Sequence, residues 1–223
     1  MAIRAIIFDF DGLILDTECT EYASWQQVYR EHGHELTMTL WADAVGRPYS
    51  HHFDPCEVLE QFLGKKLDHV AVRERKRSIC KYLNLKLQPR DGVTQYLHTA
   101  QTLGLKLAIA SSSDHSWVAG HLTRLNLLDY FANLTTFEDT LTHKPEPGPY
   151  LKALERLNVQ PHEAIALEDS AHGVAAAKAA GIFCVAVPNE ITRSMDLSHA
   201  DLTVHSLLEL PLEELLCCAL SRR

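Results

Sequence analysis

The residues best suited to chemistry stand near the start of the chain. Residues 2–12, AIRAIIFDFDG, form an Ile- and Phe-rich run that closes on two carboxylates, Asp9 and Asp11. A short apolar run of this kind predicts a buried strand rather than a surface helix, and Gly12 marks the turn that ends it. On an extended backbone alternate side chains share a face, so Asp9 and Asp11 are expected to point the same way. Two like charges ~4 Å apart repel by roughly 1 to 4 kcal/mol, depending on screening, and folding alone gives no return for that. A bound cation, or a reaction that uses both acids, accounts for the pair.

Polar residues recur at the ends of two further apolar runs. Residues 105–110 lead into Ser111, Ser112, Ser113 and Asp114, and residues 164–167 lead into Glu168, Asp169 and Ser170. Lys144 lies between them in the proline-stiffened loop HKPEPGP, residues 143–149. Several carboxylates with one lysine and one hydroxyl leave an excess of negative charge. A hard divalent cation supplies the balance, and oxygen donors suit Mg²⁺. Asp169, Asp9 and a backbone carbonyl could hold it. Carboxylate, Mg²⁺, lysine and hydroxyl together suit phosphoryl transfer, where catalysis is mainly positioning and charge stabilisation. A carboxylate can attack phosphorus itself, and a second acid can protonate the leaving alcohol and then activate water. Lys144 would act as a point charge on phosphate and Ser111 as a hydroxyl donor to it.

The elements that must position these groups follow from periodicity. From about residue 89 onward apolar strands alternate with helices of about ten residues, which predicts parallel βαβ units with helices on both faces of the sheet. The fold class is therefore α/β, a Rossmann-like parallel sheet. In such folds the ligand site lies at the carboxyl ends of the strands, where the polar residues cluster. Residues 18–85 differ. Tyr22, Trp25 and Tyr29 are three and four apart on an amphipathic helix that should stop near Gly33. Asp54-Pro55-Cys56-Glu57 reads as a helix start with an Asp cap, Pro at the first position and Glu where a capping box wants it. Val58, Leu59, Phe62 and Leu63 form its expected apolar stripe, ended by Gly64, and a third helix runs from Asp68 to Leu83. We expect a core domain of residues 1–16 and 87–223 and a small inserted all-α cap of residues 17–86.

The run Asp9-Phe10-Asp11-Gly12 with Asp16-Thr17-Glu18 resembles the first motif of the haloacid dehalogenase superfamily of phosphohydrolases. Ser111, Lys144 and Glu168-Asp169-Ser170 with Gly173 and Gly181 resemble its second, third and fourth motifs, in order and over essentially the whole chain. The set is most similar to the branch of β-phosphoglucomutase and phosphoglycolate phosphatase, which carries a helical cap after the first motif. The resemblance implies a Mg²⁺-dependent phosphatase of small organophosphates. It implies Asp9 as nucleophile and Asp11 as general acid/base whose carbonyl also ligates Mg²⁺. Asp169 would be a metal ligand, Glu168 a ligand or a partner of the ligands, and Ser111 and Lys144 the grip on the transferring phosphate, with Ser112 beside it. Gly12 and Thr17 would shape the passage between core and cap, and Glu21 and Arg47 would face substrate. Asp11 favours phosphate chemistry over carbon–halogen cleavage, because the family's dehalogenases lack it. A sugar-phosphate phosphomutase is the alternative; its pattern has His where this chain has Glu21, and Arg47 sits roughly where a cap arginine grips a second phosphate. Phosphonate hydrolysis in the family uses a cap lysine, for which Lys65, Lys66 and Lys76 are candidates by type alone. A non-catalytic phosphate-binding module is the remaining alternative.

Composition narrows the partners. Lys and Arg total 21 against 29 Asp and Glu, a formal charge of -8, which argues against nucleic acid or an anionic membrane. The 223 residues, 46% apolar, suffice for one sizeable core and a smaller unit. Cys19, Cys56, Cys80, Cys184, Cys217 and Cys218 show no CxxC spacing and read as reduced thiols of a cytoplasmic protein, Cys19 as a buried inert one. Neither a signal peptide nor a membrane span is expected. The partner is a small phosphorylated molecule, and the oligomeric state is left open, a monomer being compatible. The basic run of residues 73–77 reads as a solvated helix face. The aromatic residues at 22, 25 and 29 read as core.

Overall fold

Runs of β-branched and small apolar residues, each four or five long, form the centre of the molecule. The computed structural model describes residues 2–45 and 54–221. Its strands are β1 (Ala5–Phe8), β2 (Lys106–Ala110), β3 (Asn133–Thr135), β4 (Ala164–Glu168), β5 (Phe183–Ala186) and β6 (Leu202–Thr203). They build one sheet in the order β3-β2-β1-β4-β5-β6, parallel throughout. Every residue of β1, β4 and β5 is buried, as a sheet covered on both faces requires. The helices are α1 (Thr17–Glu31), α2 (Met38–Val45), α3 (Pro55–Leu63), α4 (His69–Asn84), α5 (Val93–Thr102), α6 (His115–Arg124), α7 (Phe137–Thr140), α8 (Gly148–Leu157), α9 (Ala171–Ala179) and α10 (Leu212–Ser221). No described helix is long and apolar enough to cross a membrane.

The register sets the site. Phe8 stands level with Ile109 on one side and Leu167 on the other, and the Asp9 N–H still bonds to the Leu167 carbonyl at 2.9 Å. Asp9 therefore emerges beside the ends of β2 and β4, where the strand order reverses direction and where ligands bind in doubly wound sheets. One sheet face is made mostly of small side chains, Ala5, Ala108, Ala110, Ala164, Ala166, Cys184 and Ala186, around a single Ile7. Small residues let α8 and α9 approach closely, and Tyr150, Ala153, Leu157, Val174 and Ala177 fill the space between.

The chain divides into two compact units. One comprises Met1–Asp16, Gln88–Asn189 and Met195–Arg223, and the other Thr17–Leu87 and Glu190–Ser194. The return segment Glu190–Ser194 has no counterpart in the sequence reading; its Ile191 is buried in the helical unit's core with Tyr22, Trp25, Val28, Tyr29, Leu36, Trp41 and Leu59. Cys19 is half-buried against that core rather than sealed within it. The third helix starts after Asp68, whose carboxylate caps Val70 and Ala71. In α3, Asp54 caps Cys56 and its other oxygen takes Arg73 at 2.7 Å. Only part of the expected α3 stripe is inside. Leu59 is buried with Cys56 and Glu60, whereas Phe62 is half exposed and stacks on His34 at 5.5 Å. All six cysteines are free thiols.

Candidate active site

Lys144 is the hub of a buried charge cluster. Its ammonium donates to Asp9 Oδ1 at 2.5 Å and to Glu168 Oε1 at 2.6 Å, with side-chain exposures of 8% for Lys144, 9% for Asp9 and 0% for Glu168. The Tyr150 hydroxyl donates to the same Glu168 oxygen at 2.5 Å. Burial pushes the Asp9 carboxyl up to about 8; Lys144 opposes that, and the Glu168 and Asp11 charges add to it. Burial alone would depress Lys144, but the two carboxylates on it win and raise it. The hub thus stays cationic. Asp169 completes the group. Asn189 Nδ2 donates to Asp169 Oδ2 at 2.7 Å and reaches the Gly12 carbonyl at 3.4 Å.

Two glycines make the room. A Cβ on Gly12 would stand 2.0 Å from Asp169 Oδ2, and one on Gly173 would stand 1.8 Å from Glu168 Oε2. Gly12 also holds φ +80, a backbone state that side chains disfavour. Its carbonyl is clamped by the guanidinium of Arg90, which also donates to the carbonyls of Val187 and Pro188 at 2.9 Å. The turn after Asp9 is therefore tied to the end of β5 by one side chain.

Asp11 has other partners than Asp9. Asp11 lies past the regular pairing of β1, which ends at Phe8, and its charge still acts on Asp9. Ser113 donates to Asp11 Oδ2 at 2.6 Å and the Trp117 indole to Oδ1 at 2.9 Å. Ser111 is buried and its hydroxyl accepts from the Ser113 N–H at 3.0 Å. The Ser112 hydroxyl accepts from the Lys144 backbone N–H at 3.0 Å, which joins the loop after β2 to the lysine loop. Asp9, Asp11, Ser111, Ser112, Lys144, Glu168 and Asp169 thus converge from four separate segments.

The donor set suits a hard divalent cation. Carboxylate oxygens of Asp9, Glu168 and Asp169 lie within 4.8 Å of one another, and all three residues are buried. Glu168 Oε2 is buried with no hydrogen-bond partner, a costly condition unless something occupies it. Asp169 and Glu168 sit where they do only because Gly12 and Gly173 lack side chains. An acidic, all-oxygen cluster with an unsatisfied oxygen fits a metal.

In the helical unit, Thr17 is buried at the start of α1, where its carbonyl accepts from Thr20 at 2.8 Å. Glu21 pairs with Lys76 and receives the Cys80 thiol at 3.6 Å. Arg47 and His51 lie outside the described residues. A cleft of about 280 Å³ within this unit is lined by Glu21, Trp25, Trp41, Arg73, Lys76 and Arg77. The basic run is therefore not wholly a solvated face: Arg75 is, paired with Glu31 at 2.6 Å, but three of its neighbours line a cavity. Trp25 serves both core and cleft wall. Of the three cap lysines, Lys66 is exposed on Glu60 and Lys76 is largely buried.

Sequence reasoning did not single out Asn189, Tyr150, Trp117 or Arg90, and it read Ser113 only as a neighbour of Asp114. A polar residue just past β5 was a signal for Asn189. The others act from inside helices or a loop and carry no local mark.

A family model described as haloacid dehalogenase-like hydrolase matches residues 6–187. The chain is 42% identical over 214 residues to YhcW of Bacillus subtilis (strain 168), provisionally named a phosphatase, covering 96% of each chain. It is 33% identical over 184 residues to the phosphorylated carbohydrates phosphatase of Thermotoga maritima, covering 81% of this chain and 82% of that one. Among solved structures, one from Thermotoga maritima, provisionally described as β-phosphoglucomutase, superposes with a TM-score of 0.75 at 30% identity, over 91% of this chain and 94% of that one. The motif order, the parallel sheet and these likenesses agree, and the chain belongs to the haloacid dehalogenase-like hydrolases, as an enzyme of the phosphatase type in the branch that includes these relatives.

Proposed function

We propose that the chain hydrolyses small phosphate monoesters through a phosphorylated Asp9. The observation that carries this reading is the buried Asp9–Lys144–Glu168 cluster at the strand ends, with Asp169 within reach and Asp11 on separate partners. Two buried acids on one lysine with a third buried acid beside them are costly to fold, and perturbed buried charges in such a place mark a reaction site. The Asp9 carboxylate would attack phosphorus as the bond to the leaving oxygen breaks, and Asp11 would give that oxygen its proton. Water would then attack the aspartyl-phosphate, passing its proton to Asp11, which returns phosphate, Asp9 and the acid to their starting states. Lys144 and Ser111 would hold the phosphoryl oxygens through both steps.

We assign Asp9, Asp169 and the Asp11 carbonyl to a Mg²⁺ site, with Glu168 either binding directly or supporting the ligands. When bound, the ion would neutralise phosphate charge and favour ionised Asp9. The helical unit would choose the organic part of the substrate through the cleft beside Glu21, Arg73 and Lys76, and Arg47 would contact substrate as the resemblance implies. Six free thiols support a reducing, cytoplasmic setting.

A panel of sugar phosphates, phosphoglycolate and nucleotides tests the reading. Inorganic phosphate should appear, and a phosphoenzyme should be trapped on Asp9. Asp9→Asn should remove both by several orders of magnitude; a variant that kept substantial turnover would exclude Asp9 as nucleophile. The mutase reading has support in the β-phosphoglucomutase-like structure, but Glu21 replaces the His of that pattern and is ion-paired to Lys76. Glucose 6-phosphate formed from β-glucose 1-phosphate would favour the mutase, and free phosphate the phosphatase.

A further inference from the structure

We propose that Trp117, together with Ser113, is a positioning residue that fixes which oxygen of Asp11 carries the proton to the leaving group. The proposal rests on Asp11 being the general acid/base of the reaction above.

The Trp117 Nε1–H donates to Asp11 Oδ1 at 2.9 Å, and the Ser113 hydroxyl donates to Oδ2 at 2.6 Å. An indole N–H can only donate. A carbonyl oxygen accepts better than the hydroxyl oxygen of a carboxylic acid, so the indole donor favours Oδ1 as the carbonyl oxygen of a neutral Asp11, with the proton on Oδ2. A serine hydroxyl has no such restriction: it donates to Oδ2 when the acid is ionised and can accept from it when the acid is protonated. The pair makes the two oxygens unequal. Oδ1 is an anchor, and Oδ2 is the oxygen that gives the proton in the first step and takes it from water in the second.

An anchor must itself be rigid. Trp117 lies in the first turn of α6, and four residues on, His121 meets its ring edge to face with centroids 4.3 Å apart. His121 in turn lies 6.3 Å from the ring of Phe10, the fully buried residue between the two acids, and contacts Arg124 at 3.3 Å. The indole is thus held by the same segment whose acid it orients. A phenylalanine could keep the packing against His121 but has no N–H.

Trp117→Phe separates these roles when two substrates of similar size are compared. The p-nitrophenolate of p-nitrophenyl phosphate departs without a proton, whereas the alkoxide of benzyl phosphate needs one. For benzyl phosphate, kcat/KM should fall roughly 10- to 100-fold, the worth of a hydrogen bond to a charged group, chiefly in kcat. For p-nitrophenyl phosphate it should change less than about threefold. Asp11→Asn is the control and should show the same selectivity, more strongly. If Asp11→Asn is selective while Trp117→Phe loses both substrates equally or neither, the positioning role is overturned and the acid/base reading stands. If Asp11→Asn is itself unselective, the acid/base reading falls and this proposal with it. Should Trp117→Phe fail to fold, Ser113→Ala carries the same comparison, because it removes the Ser113 hydroxyl from Oδ2: selective loss supports the assignment and uniform loss overturns it.

Discussion

Carboxylates meet cations in both units, but on different terms. In the sheet unit, one lysine at 8% side-chain exposure serves Asp9 and a fully buried Glu168. In the helical unit, Arg73 with Asp54 and Arg75 with Glu31 pair one to one, with the arginines 41% and 53% exposed. An exposed pair contributes about 0 to 1 kcal/mol. A buried cluster with more acids than bases costs desolvation that folding does not repay. The first arrangement therefore fits the proposed chemistry and the second surface packing, with Lys76 on Glu21 between them because its ammonium is largely buried in a cleft.

Lys144→Met would break this contrast most severely. Asp9 and Glu168 would face each other without a shared cation, so turnover should fall by at least roughly a thousandfold. Breaking a buried pair costs about 3 to 5 kcal/mol, and proton uptake by the acids should hold the loss near the lower end. An equivalent change at the surface, Arg75→Met, should shift stability by less than about 1 kcal/mol. Equal losses in the two melting curves would remove the distinction between the clusters. Metal is the next test. Chelator should silence turnover, and added Mg²⁺ should raise the melting temperature as any ligand of the native state does. Replacing Gly173 by Ala, which pushes on Glu168 Oε2, should weaken that stabilisation; a Mg²⁺ response identical to that of the parent would sink Glu168 as part of the site.

The parts of this contrast were unequally legible in the sequence. β1, β2, β4 and β5 are apolar runs bounded by turn residues, and a buried parallel strand has little other way to look. Asp169 stood out because charge at a strand end is out of place unless used, and Lys144 because it is a lone cation in a proline-stiffened loop. β6 is two residues long, too short to carry a period, and was not expected. α10 repeats Leu212, Leu215 and Ala219 at helical spacing, a signal the sequence does carry. Trp117, Tyr150 and Arg90 were illegible for a different reason. Their partners are 106, 18 and 78 residues away, and only the topology brings them together.

The cleft offers a smaller effect. Arg77 lines it and is exposed, so Arg77→Ala should leave the melting temperature nearly unchanged, as surface substitutions do. If the cleft grips an anionic part of the substrate, KM should rise roughly two- to tenfold with kcat little altered. Steady-state kinetics on the best substrate of the panel decides this. A change in kcat without a change in KM would assign Arg77 elsewhere.

The smallest effect belongs to Glu60, a buried acid of the helical unit with no place in the chemistry. Its carboxylate receives Lys66 at 2.7 Å, the Leu67 N–H at 2.9 Å and His69 at 2.9 Å, which stitches the α3–α4 connection to α3. Lys66, then the Leu67 N–H and His69, hold the carboxyl down at about 2, against burial. A carboxyl lowered on folding stabilises the native state above its unfolded value, near 4.5, and that contribution is lost as pH falls toward the folded value. The parent should therefore melt higher than Glu60→Gln at pH 7, and the two curves should converge between about pH 5 and pH 2. Melting temperatures across that range measure it, and parallel curves would show that Glu60 holds the connection by shape rather than by charge. Unlike Asp9, which burial pushes up, Glu60 is held down by donors built around it, so the two acids should differ in the sign of their response to pH.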